Sequence, residues 1–180
     1  MLRQEVFDAE ITEGDYLLIY LLNKGYAEDI IRWHNSNPHV KLHCFADDKN
    51  VKDSFQYDDT LTFHAIEDRK FLELMTGAKG LITTSGFESV CEDMYLGKPV
   101  FMVPVKGHFE QYYNSRNAFK AGAGIYDDTF NIDMLLTYSP RHHINNSFQH
   151  WVRDDNRKTL DELAELLYPT SETVSDPVLV

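Results

Sequence analysis

The stretch GLITTSGFESVCEDMYLG, residues 80–97, decides the fold because its periodicity changes in the middle. Residues 80–84 form a short run of mostly apolar or β-branched side chains, which is typical of a buried strand. From Phe87 to Leu96 the apolar residues recur at helical spacing, and Gly97 ends the helix. A strand that passes through a tight turn directly into a helix is the repeating unit of parallel α/β sheets.

The same alternation of strands and helices extends through most of the chain. Apolar runs predict further strands at residues 15–22, 40–46, 61–66, 99–105 and 122–126. Helical spacing predicts helices at residues 27–35, 67–77, 109–120 and 147–167. These elements predict the α/β class, with a Rossmann-like, doubly wound parallel sheet and helices on both faces. We expect a linker-like segment over residues 1–14, the sheet domain over 15–168 and a flexible tail over 169–180.

The charge balance excludes several classes of partner. With 17 Lys+Arg against 29 Asp+Glu, the 180-residue chain carries a formal charge of −12 and is repelled by nucleic acid and anionic lipid. Residues 1–14 lack the apolar core of a signal peptide, and no apolar run approaches the ~20 residues that span a bilayer. Cys44 and Cys91 lie far apart in apolar runs, which favours free thiols in a reducing compartment. We therefore expect a cytoplasmic protein.

The start of the 87–96 helix is the strongest candidate for a ligand site. At about 100° per residue, its apolar residues share the side that should face the sheet: Phe87, Val90, Cys91 and Met94. Ser85, Ser89 and Glu92 fall on the opposite side, towards the cleft. Free N–H groups and the positive dipole end suit a phosphate, and Gly86 lets it approach the backbone. Since Glu92 can accept hydrogen bonds from vicinal ribose hydroxyls, the segment predicts a nucleotide site.

A second group of polar residues follows the predicted strand at 99–105. His108, Glu110 and Gln111 stand at the start of the next helix. The Glu-Gln pair offers hydrogen-bond acceptors and donors for the hydroxyls of a sugar. Because both groups follow carboxyl ends of strands in one parallel sheet, they are expected to open onto the same cleft.

Several of these residues also have a purely structural explanation. Ser85 and Glu88 have the spacing of a capping box, and Glu110 would complement a helix dipole without any ligand. His64 and His108 fall at predicted cleft ends of strands, where each either faces a phosphate or an acceptor or is a solvated loop residue. No histidine spacing indicates a zinc site, so no metal is predicted.

Three motifs occur in a fixed order along the middle of the chain. They are Thr-Ser-Gly-x-x-Ser-x-x-Glu at 84–92, Gly-Lys-Pro at 97–99, and Val103-Pro104 followed by Gln111. Together they resemble the donor-site signature of GT-B glycosyltransferases. By motif the nearest relatives are the UDP-glucosyl and UDP-glucuronosyl transferases and the peptidoglycan UDP-N-acetylglucosamine transferase. The resemblance covers residues 60–125 by motif, and residues 15–60 by the order of elements.

The resemblance implies a role for each site residue. It assigns Ser89, beside the Ser-Gly turn at 85–86, to the donor diphosphate, and Glu92 to the ribose hydroxyls. Glu110 and Gln111 correspond to positions that contact the donor sugar. Ile66 corresponds to the position that reads the uracil edge.

The resemblance also implies a reaction and a missing half. It indicates the donor domain of an inverting, metal-independent hexosyltransferase that uses a UDP-sugar as substrate and needs no cofactor. The acceptor site and catalytic base would lie in an N-terminal domain or subunit, so the catalytic residue is unknown and His108 is the candidate within this chain. Among the departures from the family pattern, Thr84 replaces a basic residue and Glu88 adds a negative charge. The alternatives are a non-catalytic nucleotide-sugar-binding subunit and half of a sugar-nucleotide epimerase.

Overall fold

The computed structural model of the protein describes residues 2–20, 25–46 and 53–167. The strands in these ranges are β1 (Leu17–Tyr20), β2 (Leu42–Phe45), β3 (Ser54–Gln56), β4 (Leu61–His64), β5 (Leu81–Thr83), β6 (Val100–Met102) and β7 (Gly124–Tyr126). The helices are α1 (Gln4–Phe7), α2 (Gly25–Ser36), α3 (Asp68–Gly77), α4 (Phe87–Tyr95), α5 (Phe109–Lys120), α6 (Ile132–Tyr138), a 3-10 turn (Ser139–Arg141) and α7 (Asn146–Leu167). Residues 2–145 form one compact unit, and α7 belongs to another.

The seven strands form one sheet in the order β3-β4-β2-β1-β5-β6-β7. Every neighbouring pair is parallel except β3 and β4. The chain moves outward from β1 in both directions, and right-handed crossovers then place helices on both faces. This confirms the predicted doubly wound sheet. The strand order reverses between β1 and β5, so ligands are expected at the carboxyl ends of these strands.

The core lies where the central strands are covered by helices. Ile19 of β1 is paired with Cys44 on one side and Ile82 on the other, and all three side chains are buried. The edge pair β6–β7 is packed so closely that a Cβ on Gly124 would lie 1.9 Å from the carbonyl oxygen of Val100. Only glycine fits there. No helix within the described ranges is long and apolar enough to cross a membrane.

Three elements were not predicted from the sequence. Strand β3 is short and fully exposed, so it lacks the apolar alternation that marks a strand. It forms a hairpin with β4 because the Asp58 carboxylate accepts hydrogen bonds from the backbone N–H groups of Thr60 and Leu61, each at 2.8 Å. Helices α1 and α6 are also additions. Residues 21–22 of the first predicted strand and the tail 169–180 lie outside the described ranges.

Residues 2–14, which we call the N-terminal strap, are packed against the sheet domain. Val6 in α1 is 1% exposed, and the ring of Phe7 meets the edge of Tyr95 in α4 at 5.1 Å between centroids. Further along, the N–H groups of Thr12 and Gly14 donate to carbonyl oxygens at the end of α3. The strap therefore follows the surface from α4 to α3.

Two histidines meet inside the sheet, on β2 and β4. His43 Nδ1 lies 2.9 Å from His64 Nε2, and the two rings stack. His64 is buried, so the alternative that it is a solvated loop residue is wrong: its ring packs beside Phe45. Its contact with a phosphate or an acceptor stays a prediction. The pKa of His43 is lowered to about 4, mainly by burial and secondly by the neighbouring His64. Burial also lowers the pKa of His64.

Acid is expected to destabilise the sheet through His43. The native state keeps the imidazole neutral down to a pKa of about 4, whereas the unfolded chain protonates it below 6.5. The unfolded state thus binds more protons in this window, and the free energy of unfolding falls by roughly 1–2 kcal/mol as the pH drops through it, after allowing for solvent screening. Urea titrations at pH 7, 6, 5 and 4.5 measure this. The His43→Gln variant should lose much of the slope, and an equal slope in both proteins would contradict the assignment.

Candidate functional site

The turn between β5 and α4 has an unusual backbone. Ser85 adopts a left-handed conformation with φ 72°, which costs energy for a residue with a side chain. Its hydroxyl points inward and lies 2.7 Å from the hydroxyl of Ser115 in α5. Ser115 in turn donates to the backbone oxygen of Gln111, so Ser85 is the donor to Ser115. Strained backbone of this kind clusters at ligand sites.

The start of α4 has no side-chain cap. Gly86 occupies the N-cap position, and the capping-box alternative for Ser85 is wrong because that hydroxyl is used by Ser115. The first N–H groups of any helix lack partners within the helix, so here they remain available to a ligand. A Cβ on Gly86 would meet only the Ser89 hydroxyl, at 3.8 Å. The Ser89 hydroxyl lies beside this position and donates to the Gly86 carbonyl oxygen at 3.3 Å, and the helix dipole favours an anion here.

Glu92 is not open to the cleft but is paired with the strap. Its two carboxylate oxygens accept hydrogen bonds from Nε and Nη2 of Arg3, each at 2.6 Å. The Glu92 side chain is 3% exposed and that of Arg3 is 34% exposed. The hydrogen bond to Glu92 raises the pKa of Arg3. Sequence reasoning missed Arg3, although it is the one basic residue among residues 1–14.

The apolar side of α4 differs from the prediction. Phe87 was expected to face the sheet, yet it is 66% exposed at the helix start. Asp93 is fully buried instead, and neither of its carboxylate oxygens has a hydrogen-bond partner among the residues that the structure describes. Burial, with Glu92 nearby, raises the pKa of Asp93 well above its usual range.

The loop between β6 and α5 borders a cavity of about 510 Å³. His108, Phe109 and Tyr112 line the cavity, together with Lys106 and Asp128. Gln111 has a structural task, because its side-chain oxygen accepts the N–H of Val105 at 2.9 Å and thereby holds the loop. Its amide N–H₂ group is not used in that bond.

The predicted site residues come from three loops that follow parallel strands. Ile66 follows β4 and is 42% exposed, Ser85 follows β5, and His108 follows β6. Glu110 is exposed in the first turn of α5. Since carboxyl ends of parallel strands meet at one edge of the sheet, these loops share an edge. Within it, direct contacts join the starts of α4 and α5, where the Asn114 amide also lies 3.5 Å from the Ser85 carbonyl oxygen.

The strand order, which reverses between β1 and β5, defines a Rossmann-like domain. Residues 1–139 match the family model of glycosyl transferase family 1. The chain therefore belongs to this family, and the resemblance deduced from its motifs is confirmed.

Solved structures of glycosyltransferases share the fold. The chain is similar to the glycosyltransferase of kitacinnamycin, with a TM-score of 0.54 and 13% identity over 86% of this chain and 43% of that one. It is also similar to spinosyn forosaminyltransferase SpnP, with a TM-score of 0.53 and 13% identity over 91% of this chain and 46% of that one. The chain thus spans less than half the length of either structure. Among curated proteins, none matches it in sequence.

Proposed function

We propose that this chain binds the UDP-sugar donor of a glycosyltransferase that transfers a hexosyl group. The uncapped start of α4, reached through the strained Ser85, is the observation that carries the proposal. A helix start with free N–H groups and an adjacent glycine is a ready anion site. Family membership and the position of this turn at the reversal of strand order support a phosphate-containing ligand there.

Each part of the donor has a candidate partner. The N–H groups of α4 and the Ser89 hydroxyl bind the diphosphate, and the positive end of the helix stabilises the departing UDP in place of a metal ion. One turn further along α4, Glu92 accepts the ribose hydroxyls. Ile66 contributes the loop that reads uracil.

The loop between β6 and α5 takes the donor sugar. Glu110, exposed in the first turn of α5, accepts hydrogen bonds from its hydroxyls, and the amide N–H₂ of Gln111 donates to them. His108 lines the neighbouring cavity and is the remaining polar group at this end.

The reaction needs a second half of the enzyme. The chain spans 43–46% of the two glycosyltransferase structures above, so the acceptor site and the catalytic base are proposed to lie in another domain or subunit. The described chain is expected to bind the donor without transferring its sugar. A binding assay, rather than a turnover assay, is therefore the appropriate test.

Ser89→Ala is expected to weaken UDP binding at least tenfold while leaving uridine binding unchanged. The lost hydroxyl serves the diphosphate, and a hydrogen bond to a charged group contributes about 1.5–3 kcal/mol. Stability should change little, because alanine has the higher helix propensity. Titration calorimetry with UDP and uridine measures both affinities, and Ser54→Ala on the exposed strand β3 is the matched control.

A change at Glu88 tests the same diphosphate position, but here UDP binding is expected to become stronger. It is exposed in the first turn of α4, so Glu88→Gln removes a negative charge beside the proposed diphosphate and should strengthen UDP binding. Glu28→Gln, in the first turn of α2, is the control. Unchanged UDP affinity in both Ser89→Ala and Glu88→Gln would remove α4 from the donor site.

A further inference from the structure

The Arg3–Glu92 pair lies in the proposed nucleotide site. Glu92 is one turn, about 5 Å, beyond Ser89 along α4, and helical side chains lean towards the N-terminus. A nucleotide whose phosphate lies at the helix start therefore places its ribose beside the Glu92 carboxylate. In the structure that carboxylate is buried beneath Arg3, and both of its oxygens are already engaged.

Arg3 is held in place by the strap rather than by the pair alone. Val6 and Phe7 anchor α1 against α4, and Lys98 Nζ donates to the Thr12 carbonyl oxygen at 3.1 Å. Asp68, at the start of α3, adds a favourable charge near Arg3. The guanidinium is therefore flanked by Glu92 of α4 and by the start of α3.

We propose that the N-terminal strap is an autoinhibitory element in which Arg3 occupies the carboxylate that the ribose requires. This rests on the proposed function, because it takes Glu92 as the ribose ligand. Vicinal hydroxyls donate two hydrogen bonds to the two carboxylate oxygens and so replace Nε and Nη2 of Arg3 one for one. The displaced guanidinium is one-third exposed already and moves into water, and the backbone of Arg3 moves with it, while Phe7 keeps the rest of the strap against Tyr95.

Removing the guanidinium is expected to tighten nucleotide binding. Arg3→Gln should strengthen both UDP and uridine binding about tenfold. This is the gain expected if Glu92 is free to bind ribose in roughly one wild-type molecule in ten and in nearly all molecules of the variant. Arg3→Lys keeps the charge but loses the paired N–H donors, so its gain should be smaller. Pyrophosphate, which has no ribose, should bind both proteins equally. Arg32→Gln, which breaks the exposed pair with Asp29, is the matched control and should change nothing.

Hydrogen exchange of the wild-type protein tests the same proposal without a variant. The Val6 amide donates to the Arg3 carbonyl oxygen at 3.1 Å, so displacement of Arg3 should open this bond. UDP is expected to speed exchange at Val6 while slowing it at the start of α4. Unchanged or slower exchange at Val6 would overturn the displacement.

The alternative outcomes are distinct. Equal UDP and uridine affinities in wild type and Arg3→Gln would show that Arg3 does not cover the site. Weaker UDP and pyrophosphate binding in Arg3→Gln would overturn the proposal by making Arg3 a phosphate ligand. If wild type and both Arg3 variants bind no nucleotide, the proposed function itself fails and the autoinhibitory role fails with it.

Discussion

Glu92→Ala is expected to weaken UDP binding by about 1.5–3 kcal/mol, the range for hydrogen bonds to a charged group. In the proposed site the carboxylate accepts both ribose hydroxyls, so the loss should be much smaller for 2′-deoxy-UDP, which offers only one. Calorimetric titration of wild type and variant with the two nucleotides measures the difference. Equal losses for UDP and 2′-deoxy-UDP would contradict the ribose assignment.

The Arg3–Glu92 pair supplies an internal control for this result. In the Arg3→Gln background no ion pair has to be broken before the ribose binds, so Glu92→Ala should cost more there than in wild type. Thermal unfolding of each variant shows how far the loss of the pair loosens the strap. Glu13→Ala is the matched control, because it removes a carboxylate of the strap that is not part of the Arg3–Glu92 pair.

Asp93→Ala is expected to raise the free energy of unfolding by about 2 kcal/mol at pH 8, because a buried polar group without a partner opposes folding. Burial raises the pKa of Asp93, so the native state binds a proton that the unfolded chain releases above its ordinary pKa of 3.8. Native stability therefore falls with rising pH, by up to about 1.4 kcal/mol per pH unit, until the folded-state pKa is passed. Urea titrations from pH 5 to 8 measure both effects.

Asp93→Asn separates the charge from the polar group. The amide cannot ionise, so this variant should lose the pH dependence, but it still buries groups without partners and should gain less stability than Asp93→Ala. Lys98 is the nearby positive charge that favours the ionised form. An equal pH dependence of stability in wild type and Asp93→Asn would show that Asp93 is not held protonated.

The fold was predictable because local patterns report burial. The apolar run in β5 and the helical spacing in α4 identified the central unit, and the predicted 109–120 helix matches α5 residue for residue. Strand β3 was missed because an exposed hairpin held by Asp58 has no apolar pattern. Apolar patterns in a sequence indicate buried residues, and all three residues of β3 are exposed.

The candidate site was predictable only in part. The turn at Ser85 and Gly86 is a local feature, and the sequence indicated it. The environment of Glu92 depends on Arg3, 89 residues away, and no local pattern joins them. The strap covers the side of α4 that faces away from the sheet, so the polar side of this helix is also buried. For this reason the helical pattern could not show that Phe87 is exposed and Asp93 is buried.

The chain of hydroxyls from Ser85 through Ser115 to the Gln111 carbonyl oxygen has a consequence for binding entropy. It fixes the turn before α4 to the first turns of α5, so the backbone that is proposed to bind phosphate is already ordered before any ligand arrives. Little conformational freedom is then lost at this end of the site when a nucleotide binds. In the proposed mode of binding, the rate of association is then set by diffusion and by displacement of Arg3, and the proposed phosphate end of the site acts as a rigid template.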